Sequence, residues 1–311
     1  MRIRFPDWSR LLRAESARCP VCQAAFRPGV SGTPLPVALR QPRQALRLLC
    51  PACLERIPWI VAPQCPVCGR PERCEDCRRR RNTHFAVSRS AVRYDARMRE
   101  WLALYKYRGA ERLEPVLTAM LAYALERLAA ELGYPDPSSA FDVIGAVPLA
   151  DDRLAERGFN QAERLAARLG AWYGIPYAAL LRRIRHTAKQ SFKSRAERLK
   201  DVRGIFAVTF GGDLWAGGPG GNPRAGYRVV DPRVGHRAGD PRTVCPGGDL
   251  RIGYRSDNSP AGCRSEPSWT GRRILLVDDV YTTGSTMNEA AYALKTAWNG
   301  QAILFGLTWA R

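Results

Sequence analysis

The chain has 311 residues, enough for one sizeable core and a small extra module. Its 49 Lys and Arg against 29 Asp and Glu leave a formal charge of +20, a field that draws polyanions: nucleic acid, phosphorylated ligands or an anionic membrane surface. No apolar run approaches the length of a membrane span and the N-terminus lacks a signal-peptide core, so the sequence points to a cytoplasmic protein whose ten cysteines serve metal rather than disulfides.

Residues 1–82 read as a cysteine module. Four Cys-x-x-Cys pairs follow one another: Cys19/Cys22, Cys50/Cys53, Cys65/Cys68 and Cys74/Cys77. Each can form a knuckle, and eight thiolates suffice for two tetrahedral Zn²⁺ sites of four sulfurs each. Sequential pairing is the simplest scheme, while the short gap between Cys68 and Cys74 leaves an interleaved one open. So small a module has little apolar core, so the metal supplies much of its folding energy. The Pro-rich stretch from Pro28 to Pro42 reads as a loop inside the first ribbon. The basic strap Arg78 to Arg81 reads either as a solvated linker or as a nucleic-acid contact.

Residues 83–311 alternate strand and helix signals. Ala91 to Tyr94 reads as a short strand, and Met98, Trp101, Leu102 and Tyr105 form one helical face that ends near Lys106. A longer helix covers about 111 to 132. Phe141 to Val147 is an apolar strand, followed by a loop from Ala150 to Asn160 and a helix bearing Leu165, Leu169 and Trp172. Loops at the carboxyl ends of strands are where such sheets bind ligands, and this one carries Arg157, Asn160 and Gln161. The stretch from Arg182 to Arg203, with Gln190 and Arg198, reads as a basic flap or as a solvated face. Ile205 to Phe210 resumes a strand. Residues 211–271 are rich in Gly, Pro and Arg and poor in periodic apolar residues, so by composition they form a disordered insertion. Cys245 and Cys263 within it lack knuckle spacing.

The last segment organises the rest. An apolar run, Ile274 to Val277, leads into Asp278 and Asp279, then into the hydroxyl-rich turn Thr282-Thr283-Gly284-Ser285-Thr286 and an amphipathic helix. Thr286 with Glu289 matches a capping box. Backbone N–H groups in such a turn, at a helix N-terminus, favour a phosphate dianion, and Gly284 lets the backbone close on it. Carboxylates cannot hold a phosphate, but they accept hydrogen bonds from a sugar diol or help hold hydrated Mg²⁺. A phosphate beside a diol describes a ribose 5-phosphate. A Walker-type nucleotide site is excluded, because no Gly-Lys pair occurs in the chain.

The run Ile-Leu-Leu-Val-Asp-Asp-Val-Tyr-Thr-Thr-Gly-Ser-Thr-Met resembles the phosphoribosyl-pyrophosphate (PRPP) motif of type I phosphoribosyltransferases. Together with Val147-Pro148-Leu149, Arg157-Gly158-Phe159-Asn160-Gln161, Gln190, the Arg198 to Phe206 stretch and the cysteine pairs, the order of motifs resembles the ComF/GntX family. The resemblance implies an α/β fold, a phosphoribosyltransferase-like parallel sheet flanked by helices and preceded by a double zinc ribbon. It implies Asp278 and Asp279 as the catalytic pair on the ribose. The ligand would be held by Thr282, Thr283, Gly284, Ser285 and Thr286 at its 5-phosphate, and by Arg157, Asn160, Gln161, Gln190 and Arg198. It implies a PRPP-binding protein, using Mg²⁺ with PRPP, that serves DNA uptake or processing in natural competence beside single-stranded DNA and other competence proteins. An active Mg²⁺-dependent phosphoribosyltransferase of nucleotide metabolism is the alternative, and no residue set for a nucleobase acceptor is evident.

Overall fold

The computed structural model describes residues 16–28, 35–107, 110–184, 203–209 and 269–311. All of them fall in one compact unit, Met1–Pro219 with Trp269–Arg311. Gln190, Arg198, the interior of the flap, nearly all of the 211–271 insertion and the second unit at Gly220–Ser268 lie outside the described residues.

The frame is a parallel sheet of four strands. β3 (Ser88–Val92), β4 (Val143–Ala146), β7 (Arg273–Val280) and β8 (Ile303–Ala310) stand in the order β3-β8-β7-β4. Central β7 is a continuous apolar run buried on both faces, as a parallel sheet requires. Its alternation sorts the core in two. Leu275 and Val277 pack with α5 (Glu114–Glu131) and α8 (Gln161–Tyr173), while Ile274 and Leu276 pack with α9 (Ser285–Ala297).

The cysteine module is built into both layers. Its first part holds β1 (Ala17–Arg18), β2 (Ala25–Phe26), α1 (Arg40–Leu46) and α2 (Pro51–Glu55). Cys19 and Cys50 belong to the same cluster of buried residues as α5, and the Glu126 carboxylate on α5 accepts from the N–H of Ala38 at 2.8 Å and of Leu39 at 3.3 Å. The predicted Pro-rich loop, Pro28 to Pro42, runs at its end into α1, which has Pro42, Ala45 and Leu46 as its buried side. The second part, with α3 (Glu75–Arg79), packs on the other face: Cys65, Cys68 and Cys74 share a core with Ile274, Leu276 and α9. The Val67 carbonyl accepts from the N–H of Ser88 at 2.7 Å, which fixes the start of β3.

The remaining elements match the expected order with shifted ends. α4 (Ala96–Tyr107) buries Met98, Trp101, Leu102 and Tyr105 as the spacing predicts. The predicted loop from Ala150 to Asn160 is itself largely helical, α7 (Asp151–Arg157), stopped by Gly158 at φ 76°. That helix buries none of its residues, so it leaves no apolar period in the sequence. A turn with Pro137–Ala140, α6, precedes β4. The flap's ends, β5 (Leu181–Arg183) and β6 (Phe206–Val208), pair antiparallel. α9 is followed by Asn299 and Gly300, both at positive φ, which turn the chain away from the helix.

Candidate functional site

The register of the sheet brings the candidate residues to one edge. β4, β7 and β8 run side by side to Ala146, Val277 and Leu307, and β7 continues through Asp278 and Asp279 to Val280. The turn at 281–284 follows at once, tied back by the Tyr281 N–H to the Ala310 carbonyl at 2.9 Å. The acids and the hydroxyl turn are therefore neighbours at the carboxyl end of a central strand.

Successive residues on a strand point to opposite faces, so the two acids diverge. Asp279 turns to the α4 side, where it forms an ion pair with Lys106, both side chains being mostly buried. Burial opposes its ionisation, but the Lys106 charge and hydrogen bond, with help from the Val280 backbone and Arg157, outweigh it and hold the carboxyl below its ordinary value. Among the described residues Asp278 forms no ion pair of that kind, although the Lys106 charge favours its ionised form too. Burial first, and then the negative charge of Asp279, push its carboxyl well up, against the 2.8 Å hydrogen bond it accepts from the Asp279 N–H. Arg183 at the end of β5 lies within electrostatic range of Asp278. Neither Lys106 nor Arg183 carried a motif. In the sequence Lys106 reads as the last cation of a helix, either a surface charge or an anion-binding group, and Arg183 as one of many arginines.

The turn expected to cradle a phosphate runs from the end of β7 into α9. Gly284 sits at φ 75° as the N-cap of α9 and has no side chain to cap it, while the Thr283 hydroxyl accepts from the Ser285 N–H at 3.4 Å. A Cβ on Gly284 would lie 2.0 Å from the Tyr281 hydroxyl oxygen, so the ring of Tyr281 fills the place a side chain would take. Thr282 is exposed, and Thr283, Ser285 and Thr286 are half-buried. Thr283 and Ser285 share a hydroxyl hydrogen bond of 3.0 Å. The expected capping box does not form: Gly284 takes the cap, and Glu289 instead accepts from the Gly204 N–H at 2.5 Å.

The loop after β4 contributes Arg157, Asn160 and Gln161, each already engaged within the protein. Asn160 caps α8 by accepting from the Ala162 N–H at 3.1 Å and also donates to the Val147 carbonyl at 3.3 Å. Buried Gln161 accepts from Arg157 at 3.0 Å. Arg157 also donates to the Tyr107 hydroxyl at 2.7 Å, and its Nε is buried without a partner. These contacts orient the guanidinium towards the Asp279 side of the edge, near enough for its charge to help lower the Asp279 pKa.

The eight cysteines gather as two sets, Cys19, Cys22, Cys50, Cys53 and Cys65, Cys68, Cys74, Cys77, with the ligand atoms of each set within 4.8 Å of one another. This is the sequential pairing. The Cys22 and Cys50 sulfurs stand 3.6 Å apart and those of Cys68 and Cys74 3.5 Å, far too long for disulfides. Four sulfurs about 2.3 Å from a common centre in a tetrahedron would be about 3.8 Å apart, so each set fits a single metal ion.

The strap after Cys77 is not simply solvated. Arg78 and Arg79 pair with Glu75, but Arg80 turns inward and donates to the Tyr281 hydroxyl at 3.3 Å and to the Thr283 carbonyl. Trp59 packs on Tyr123 with ring centroids 4.7 Å apart.

A parallel α/β sheet carrying an acidic strand end and two four-cysteine clusters defines the class of protein. No protein-family model matches the chain. It is 30% identical over 190 residues to competence protein ComFC of Bacillus subtilis, covering 58% of this chain and 72% of that one. It is 29% identical over 253 residues to competence protein ComFC of Streptococcus pneumoniae, covering 80% and 82%. Competence protein F of Haemophilus influenzae is 24% identical over 167 residues, 53% of this chain and 49% of that one. The chain belongs to the ComF family.

Proposed function

We propose that this chain binds PRPP, or another ribose 5-phosphate, together with Mg²⁺, and serves DNA uptake or processing in natural competence. The observation that carries the reading is the junction of Asp278 and Asp279 with the hydroxyl-rich helix start behind Gly284, an N-cap that offers no side chain of its own. The 5-phosphate would sit on the N–H groups and hydroxyls of 282–286, and the ribose diol on the two acids. Mg²⁺ would neutralise the pyrophosphate. Gln190 and Arg198 belong to the same proposed set. The division into a cysteine module, 1–82, and a ligand domain, 83–311 with its insertion, goes with this reading.

The metal in both clusters is zinc on this proposal, since closed sets of four thiolates suit a structural Zn²⁺. Thiols kept free for metal suit the cytoplasm. Among the described residues no helix is long and apolar enough to cross a membrane. The names of the relatives and the charge of +20 support single-stranded DNA and other competence proteins as partners. Arg40, Arg43 and Arg47 line one exposed groove on α1 that suits a phosphate backbone.

The second reading is an active phosphoribosyltransferase. It is favoured by the cations Lys106 and Arg157 beside the acids, which could steady pyrophosphate as its bond to the anomeric carbon breaks and a nucleophile's bond forms. Pyrophosphate release with candidate acceptors separates the two readings.

Calorimetric titration with PRPP and Mg²⁺ tests the site itself. The wild type should saturate, and Asp278→Asn/Asp279→Asn should lose at least about tenfold in affinity. Equal affinity in the double variant removes the acids from the site.

A further inference from the structure

The second cysteine cluster is joined to the phosphate turn by two arginines. Arg311 donates to the Cys74 sulfur at 3.5 Å and to the Cys68 carbonyl at 3.3 Å, and its guanidinium lies over the Tyr281 ring, 4.2 Å from the centroid. Arg80, three residues after Cys77, reaches the same tyrosine from its hydroxyl end and also holds the Thr283 carbonyl. Phe85 meets the Tyr281 ring edge-on, with centroids 6.4 Å apart. Tyr281 in turn closes over Gly284, the N-cap of the helix whose N–H groups form the cradle. Just beyond the strap, Asn288 on α9 accepts from the His84 N–H at 2.9 Å and donates to the Asn82 carbonyl at 3.3 Å, so strap and helix are docked together.

A carbonyl held by a guanidinium cannot turn toward the phosphate, which keeps the peptide N–H groups of the turn facing it. Charge-assisted hydrogen bonds are the strong ones, and this one acts on the backbone of the cradle. The backbone carbonyl of Cys68 and the sulfur of Cys74 belong to the loops that the metal would fix. Nothing comparable joins the first cluster to the turn among the described contacts. Its cysteines pack with α5.

We propose that Arg80 and Arg311 are positioning residues that couple the second four-cysteine cluster to the phosphate turn, so that the turn keeps its shape only while that cluster is intact. Loss of metal from Cys65, Cys68, Cys74 and Cys77 then loosens the grip on the ligand, which makes this cluster a control point for the site. The inference rests on the ribose-phosphate reading for its consequence, but not for the coupling itself.

The test uses the full-length protein in four forms: wild type, Arg80→Met, Arg311→Met and Arg78→Met. Arg78 lies in the same strap and its side chain pairs with Glu75, so it controls for lost charge. Bound metal is counted, hydrogen exchange is followed across 280–287, and affinity for PRPP with Mg²⁺ is titrated. Arg80→Met and Arg311→Met should keep both metal ions, exchange at least about fivefold faster over 280–287 and bind about tenfold more weakly. Arg78→Met should match the wild type. Arg80→Lys should restore part of the protection. Unchanged exchange in both Arg80→Met and Arg311→Met overturns the coupling, whatever the ligand does. Faster exchange in a protein whose wild type ignores PRPP keeps the coupling and removes the ribose-phosphate reading instead.

Discussion

The two cysteine clusters have the same ligands and the same spacing within each pair, but they face different halves of the molecule. The first, around Cys19 and Cys50, is embedded with α1 against α5. The second, around Cys68 and Cys74, sits under the edge where β7 gives way to the phosphate turn, joined to it by Arg311 and Arg80. On the proposed coupling, identical chemistry serves two ends: the first cluster stiffens the scaffold, and the second is wired to the turn. What separates them is what their neighbours touch.

The comparison breaks most visibly at the first cluster. Cys50→Ser removes a buried ligand from a core shared with α5. Metal binding in small thiolate sites is folding energy, on the order of 10 kcal/mol, so this variant should retain one metal ion fewer and melt at least about 10 °C lower. A full complement of metal, or an unchanged melting curve, would contradict the structural role.

A smaller effect is expected where the first module docks. Glu126→Ala leaves the N–H groups of Ala38 and Leu39 and the Tyr173 hydroxyl, now 2.6 Å from the carboxylate, without their acceptor. The loss should be about 1–2 kcal/mol, a few degrees in Tm, with PRPP affinity untouched. A fall in affinity as large as that of Arg80→Met would erase the distinction between the clusters.

The smallest effect has the opposite sign. Because burial and Asp279 raise the Asp278 carboxyl, its ionisation costs the fold stability. That cost is absent below the ordinary carboxylate range, about pH 4, and grows as the pH climbs towards the raised value. Asp278→Asn should therefore raise Tm by about 2–4 °C at neutral pH, lose the gain near about pH 3, and still weaken ligand binding. Thermal melts across pH decide it: a neutral-pH loss of stability would show that Asp278 is held by a partner and not strained.

How much of this was legible in advance divides along the same line. Local signals read well. The Ile274 to Val277 run, the helix face of Met98 to Tyr105 and the four Cys-x-x-Cys pairs each carry their pattern within a few residues. The sequential grouping of cysteines followed once distances were known. Long-range contacts left no trace. Arg80 meets Thr283 across 203 positions, and Lys106 meets Asp279 from a different layer of the fold, so the sequence offers surface or anion-binding readings for these cations but not their partners. α7 was missed because an exposed helix without a buried stripe has no period to read. The capping box misled because Thr286 and Glu289 have the right spacing, while Gly284 with its positive φ takes the cap position two residues earlier.

A crystal soaked with PRPP and Mg²⁺ addresses the ribose-phosphate site most directly. The expected result is a phosphate within about 3 Å of the N–H groups of residues 284–286, with ribose hydroxyls against Asp278 and Asp279. Ligand density settled elsewhere, with the turn behind Gly284 left bare, would contradict the account.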